Sequence, residues 1–255
     1  MRPFLGFTIY APFASWGAEA VGEVRGSQRH ATRSAILGLI GAALGVRRDD
    51  SDGLRALDEG FGVAVRVDVA GDPLRDYHTS MSTEARVFRK QAPRTRRELL
   101  KRGEAADANK TMLSTRMYQI GSVTRLVVWA TRDSPWTLDA VAQSLEHPRF
   151  VLCAGRKANP IGWPLRPRVK SASTLGQAFS TLFDEGDAFW PLFGEFDGTD
   201  RPSPQTFEVH HDPCVGFSTG LETIRRSMPR DRAVSRAAWM FRTRPMETSV
   251  MGGTG

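Results

Sequence analysis

Residues 32–45 read Thr-Arg-Ser-Ala-Ile-Leu-Gly-Leu-Ile-Gly-Ala-Ala-Leu-Gly. Ile36, Leu37, Ile40 and Leu44 recur at helical spacing behind Thr32, a residue type that caps helices by accepting a backbone hydrogen bond from the first turn. Gly45 supplies the stop, and Gly38, Gly41 and Ala42 keep the surface small enough for close packing on a sheet. Upstream, Phe4, Phe7, Thr8, Ile9 and Tyr10 predict a strand over Pro3–Tyr10. Downstream, a short helix over Ser51–Glu59 leads to Val63, Val65, Val67 and Val69 alternating with Ala64, Arg66 and Asp68. That alternation predicts a half-buried strand, closed by Gly71-Asp72-Pro73, with Leu74–Met81 extended beyond it. Thr111–Tyr118 and Val123–Ala130 predict further extended structure, and Thr137 caps a helix whose Leu138, Val141, Ala142 and Leu145 share a face. His147-Pro148 ends that helix, and Arg149–Ala154 predicts the next strand. The order strand, helix, strand, strand, helix, strand is the α+β, ferredoxin-like (RRM-like) split βαβ plan.

Length fits this reading. The 255 residues suit one large domain or two small ones. We divide the chain into a ferredoxin-like domain at 1–165, with an insertion at about 83–117, and a smaller β-rich C-terminal α/β extension at 166–255. The insertion interrupts the pattern: residues 89–102 hold seven basic side chains against Glu98 alone, with little apolar surface, and predict a protruding basic arm.

Charge is the most informative part of the composition. The net charge is +7, and of the 35 basic residues 30 are Arg. Guanidinium groups fork onto phosphate and stack on bases, although a GC-rich genome also replaces Lys by Arg. The charge is segregated: 149–170 holds six basic residues and no acid, 225–244 seven against Asp231, whereas 184–212 carries eight acids and one Arg. This pattern suits one polyanion-facing and one acidic surface. Cys153 and Cys214 are too few for a disulfide framework, which points to the cytoplasm. The N-terminus only loosely resembles a signal peptide, and no uncharged run is long enough to span a membrane.

Many chemistries are excluded because their motifs are missing: no Walker A loop, no GxGxxG after a strand, no HExxH, no GxSxG elbow. His210-His-Asp-Pro-Cys214 lacks a second ligand pair and reads as an ordinary loop, so neither metal nor cofactor is expected. Gly60–Val65 resembles an RNA-recognition strand but puts Val63 and Arg66 where stacking rings belong, so any RNA must be held by loops. The loop from Trp16 to Ser34 sets Arg25, Arg29, His30 and Arg33 around the start of a helix, whose free N–H groups favour phosphate. A solvated loop pairing its arginines with Glu19 and Glu23 accounts for the same residues. Arg75-Asp-Tyr77-His78 combines acid/base side chains, or a structural Tyr–His pair.

Four motifs in register also carry a resemblance: Trp16-Gly17; Thr32–Gly45 with Arg48-Asp-Asp50; Leu74-Arg-Asp-Tyr-His-Thr79; and Leu152–Leu165 with its Gly-Arg-Lys-Ala-Asn-Pro core. Together they resemble the Cas-five family of CRISPR-associated proteins in its type I-E Cascade branch, from Tyr10 to about Leu182, with Ala238-Trp239 extending the likeness. The 184–232 region has no clear match. The resemblance implies a ferredoxin-like body with a thumb that holds the 5′ handle of the guide RNA (crRNA) and contacts the Cascade backbone subunits and the large subunit. Target DNA is then met only indirectly, in antiviral interference. By position, Trp16, Arg25, Arg29, His30, Arg33 and Ser34 line the handle site. Arg156 and Lys157 touch RNA or a neighbour; Arg75, Tyr77, His78 and Arg116, which flank the thumb, and Arg86, Arg89, Arg94, Arg96 and Arg97 within it are further RNA-binding candidates.

Three functions compete. A non-catalytic RNA-binding assembly subunit is the first. The second is a metal-independent endoribonuclease that processes the guide precursor, as a sister branch does, with Tyr77, His78 and Lys157 as its acid/base candidates. The third is a structural protein whose basic surface takes acidic protein partners.

Overall fold

The computed structural model describes residues 1–18, 22–87, 92–131, 134–184, 206–235 and 240–252. Alternating apolar residues at the N-terminus build β1 (Arg2–Ala14), which runs past the expected end at Tyr10. Three two-residue strands follow, β2 (Trp16–Gly17), β3 (Val24–Arg25) and β4 (Ser27–Gln28), then α1 (Arg33–Leu44), α2 (Ser51–Gly60), β5 (Phe61–Val69) and β6 (Asp72–Thr83). Next come α3 (Arg96–Ala105), β7 (Asn109–Ala130), α4 (Leu138–Glu146), β8 (Arg168–Ala172) and α5 (Leu175–Phe179). The C-terminal part supplies β9 (Thr206–His211), β10 (Glu222–Ser227), β11 (Arg232–Ser235), β12 (Met240–Arg242) and β13 (Met246–Gly252). The fold is a mixed α/β arrangement on an antiparallel sheet. Along its main path the strands run in the order β10, β13, β9, β5, β7, β1, β8, with β6 and β3 attached to β7.

The helix ends follow local chemistry. The Thr32 side chain accepts from the Ala35 N–H, and the left-handed Gly45 (φ 83°) turns its N–H back to Ala42 and Gly41. Thr137 caps α4 in the same way. Ile36, Leu37 and Ile40 of α1, Leu57 of α2, and Leu138, Val141 and Leu145 of α4 pack on Leu5, Phe7, Ile9, Val63, Val65, Leu126 and Val128 of the sheet. Burying a side chain of this size stabilises the fold by about 1.5–3 kcal/mol. The opposite face carries Phe4, Ala64, Val127 and Trp129, covered by α5 and by Leu182 and Phe183 of the π-helical turn after it. At Gly62 a Cβ would lie 2.1 Å from the Trp129 indole, so only glycine lets the ring lie flat there. Under this second layer Arg66 and Arg125 share the Asp68 carboxylate at 2.8 Å each, against Phe207 and Phe183. With both faces covered, the sheet centre offers bases no open platform.

Four features differ from the sequence reading. Residues 149–154 form no strand; the Arg149 and Phe150 N–H groups instead satisfy the Ala43 and Ala42 carbonyls at the end of α1. The position beside β1 is taken by β8, register Arg2↔Ala172 to Gly6↔Arg168. The two expected extended segments at 111–118 and 123–130 are one strand of 22 residues, β7, with Gly121 at φ 67° where they join. The basic insertion is not devoid of structure: α3 forms behind Thr95, whose side chain accepts from the Glu98 N–H while Glu98 accepts from Arg94 N–H and pairs with Arg102. Thr83 donates to the Leu99 carbonyl and Asn109 to that of Leu100, fastening α3 to the ends of β6 and β7. The C-terminal strands also extend the main sheet, because β9 pairs with β5 over Ala64–Arg66. No helix among the described residues is long and apolar enough to cross a membrane.

Candidate nucleic-acid interface

β7 builds the site because it belongs to two structures at once. Its C-terminal half lies between β1 and β5, while Asn109–Ile120 pairs with Thr83–Asp72 of β6 as a two-stranded ribbon whose side chains are largely exposed. Where the halves meet, β3 docks in parallel on β7 and sets Arg25 beside Arg116. Residues two apart on a strand share a face, so Arg116 and Tyr118 project together, with Asp76 and Leu74 opposite them on β6.

The Gly155–Asn159 turn completes this cluster. Gly155 has φ 84°, and a Cβ there would fall 2.0 Å from the Ser15 carbonyl oxygen, so the turn presses directly on the end of β1. Ser15 N–H donates to Ala154 O at 3.1 Å, and buried Asn159 donates from its side-chain amide to the same carbonyl at 3.2 Å. The turn thereby holds the guanidinium of half-buried Arg156 4.8 Å from the centre of the Tyr118 ring. Lys157 beside it is exposed. Arg25, Arg116, Arg156 and Lys157, from three separate stretches of chain, thus meet at the ribbon base.

Other expected residues fall elsewhere. Trp16 is 1% exposed and packs in the core, so it is a wall of the site and no stacking surface; its backbone N–H donates to Ser27 Oγ at 3.0 Å. The strand pleat sends Arg75 and Tyr77 to the ribbon face opposite Asp76 and His78. His78 pairs with Asp76. Arg86, Arg94, Arg96 and Arg97 lie toward the ribbon tip, seven residues along β7 from Arg116 to Asn109, or about 23 Å. Arg94 and Arg97 are exposed there, Arg96 donates to the Met81 carbonyl, and Arg86 pairs with Glu84. Hydrogen bonds from Lys110 and Arg86 hold the Glu84 carboxyl down at about 2. Arg89 lies outside the described residues, as do Ala238 and Trp239.

The loop before α1 divides as well. Arg29 is exposed, but Arg33 is buried and all three of its guanidinium nitrogens are engaged within the protein, which takes it out of reach of a phosphate. It pairs with Asp58 and, at 2.9 Å, with Asp212, and donates to the carbonyls of Asp58 and Phe61. Burial opposes its charge, yet the two carboxylates raise its pKa above the ordinary value. The network continues through Arg232 on Asp58 at 2.5 Å and through Arg244, which joins Asp212 at 2.8 Å to Asp231 at 2.7 Å. Half-buried Ser34 lies 3.3 Å from Thr32 Oγ1. His30 stacks on His210 at 3.9 Å between centroids, and burial, His210, Arg244 and Arg225 push it down to about 3. Burial lowers His210 as well. His211 is bonded to Ser249 and Asp212, and no group of three or more metal-binding side chains occurs among the described residues.

Sequence reasoning missed Tyr118, although its two-residue spacing from Arg116 was visible, and it missed Asp58, Asp212 and Arg244, which no local pattern connects to Arg33.

The family described as CRISPR-associated protein (Cas_Cas5) matches residues 4–247. The CRISPR system Cascade subunit CasD of Escherichia coli (strain K12) is 30% identical over 173 residues, which are 65% of this chain and 70% of the relative. Among solved structures, a chain of a CRISPR RNA-guided surveillance complex aligns with TM-score 0.60 at 20% identity, covering 98% of this chain and 90% of that one. A crystal structure of a Cas protein gives TM-score 0.56 at 18% identity, covering 98% and 95%. On the family match over nearly the whole chain, this protein belongs to the Cas5 family of CRISPR-associated proteins.

Proposed function

We propose that the chain is a non-catalytic, RNA-binding Cascade subunit of type I-E that works in the cytoplasm, holds the 5′ handle of the crRNA and helps assemble the complex for DNA interference. The observation that carries this reading is the meeting of Arg25, Arg116, Arg156 and Lys157 at the ribbon base. Four cations from separate stretches, none drawn into the Asp58–Asp212 network, form a polyanion site rather than a set of structural ion pairs. In this reading β5, β7, β1 and β8, with α1 and α4 as crossovers, are the ferredoxin-like frame. That assignment is supported by their antiparallel order and by the chain order β1, α1, β5, β7, α4, β8. The ribbon with α3 is the thumb, turned toward backbone subunits; since β8 belongs to the frame, the C-terminal unit expected from 166 begins after that strand, at α5, and faces the large subunit. Target DNA is reached through those partners.

The endoribonuclease reading is disfavoured by the pleat, which separates Tyr77 from His78 so that they cannot work on one 2′-hydroxyl from one face. Incubating the purified protein with repeat RNA in EDTA tests the choice. The expected result is retained, uncut RNA; site-specific cleavage lost in His78→Ala would establish the nuclease instead. Sequencing the RNA that copurifies with the protein tests the handle itself, and RNA without any common 5′ segment would overturn that assignment.

A further inference from the structure

The guanidinium of Arg156 is held in an unusual state for a nucleic-acid contact. Its Cζ lies over the Tyr118 ring at 4.8 Å from the centroid, and its buried Nη1 makes no hydrogen bond. A phosphate-clamping arginine needs an open edge, because it grips through two adjacent N–H groups. Here the burial of Nη1 partly closes that edge, and the aromatic ring lies under the group. Tyr118 is itself 8% exposed, so the phenol cannot stack on a ligand directly. Arg156 itself is only half-buried.

We propose that the Tyr118–Arg156 pair is a stacking platform for one unpaired base of single-stranded RNA, with Arg156 carrying the base and Tyr118 positioning Arg156. The inference rests on the handle reading above and sharpens it. Guanidinium planes stack on bases as aromatic rings do, and each such contact is sequence-tolerant because every base has a π-face. Charge for the phosphates on either side comes from exposed Lys157, next in the chain, and from Arg116, which shares the Tyr118 face of β7. The Gly155 turn fixes the height of the platform through its contact with Ser15. The sheet, whose faces are both covered, yields its usual stacking role to this loop.

The test uses the full-length protein and repeat-derived single-stranded RNAs that carry one 2-aminopurine, or one abasic ribose, at each position in turn. Stacking quenches 2-aminopurine, so one position is expected to be quenched. The abasic RNA at that position should bind roughly 5- to 150-fold more weakly, the range for one stacked base. Arg156→Lys retains the charge but loses the plane, so it should abolish the quenching and bind all RNAs of the abasic set alike, with an unchanged salt dependence. Tyr118→Phe keeps a ring under the guanidinium and should preserve the quenching. RNA bound tightly but without position-specific quenching, or quenching that survives in Arg156→Lys, would overturn the platform and leave the handle reading standing. Failure of the unaltered protein to retain any repeat RNA would overturn the handle reading itself.

Discussion

Replacing Arg33 by Ala should damage the fold rather than RNA binding. Arg33 is 8% exposed, its partners Asp58 and Asp212 are 15% and 14% exposed, and it ties the start of α1 to the end of α2 and to the segment after β9. Removing one member of a buried pair costs about 3–5 kcal/mol, because the remaining charge stays buried without its counter-ion. Asp58 retains Arg232 and Asp212 retains both Arg244 and the Val63 N–H, which places the loss at the lower end, about 3 kcal/mol. For a chain of this size each kcal/mol shifts Tm by about 2–4 °C, so the expected drop is roughly 6–12 °C. Arg33→Lys should recover less than half, since a compact ammonium cannot span two carboxylates and two carbonyls at once. The control is Arg29→Ala, an exposed site that should change stability by less than about 0.5 kcal/mol while weakening RNA retention. Urea unfolding, thermal melting and RNA retention on the same three variants check the reasoning. An Arg33→Ala protein that melts within about 2 °C of the parent yet loses its RNA would refute it.

Three further outcomes are expected. Arg25→Ala with Arg116→Ala should make the dependence of log K on log salt shallower by about 1.4, two phosphate contacts at about 0.7 each on a single strand, measured by titration at several salt concentrations; an unchanged slope removes these residues from the interface. His30 is held at about 3, below its ordinary 6.5, so the unfolded chain binds a proton that the folded one refuses. Its contribution is complete above pH 6.5 and is lost as the pH falls toward 3, at up to about 1.4 kcal/mol per pH unit, and His30→Gln should flatten the urea-unfolding profile in that window. Gly155→Ala puts a Cβ 2.0 Å from the Ser15 carbonyl at φ 84°, and should cost more than about 1 kcal/mol in unfolding experiments and also weaken RNA retention by displacing Arg156.

What could be read from the sequence was what local chemistry decides. The Thr32 cap and the Gly45 stop bound α1 as expected, because both act within one turn. The strand at 168–172 was invisible: Arg168, Lys170 and Ser171 are exposed on an edge, so no buried face imposes an alternation. The apolar residues of 149–154 imitate a strand, but their backbone is spent on capping α1 and on the Ala154–Asn159 contact. α3 was missed although Thr95 and Glu98 have capping-box spacing, since charge along the segment outweighed that signal. The site was half legible. Arg25, Arg116 and Arg156 are recognisable as cations, whereas Arg33 looks identical to them until Asp212, 179 residues away, is placed against it.

Because β7 passes unbroken from the core into the ribbon, the ribbon behaves as a cantilever rather than as a tethered arm. Its root is clamped between β1 and β5, and its direction follows from the twist of the sheet. Whatever binds the α3 end is therefore held about 23 Å from whatever binds at Arg116, as by a fixed gauge. Adding or deleting a pair of residues in both strands of the ribbon would reset that distance by about 7 Å.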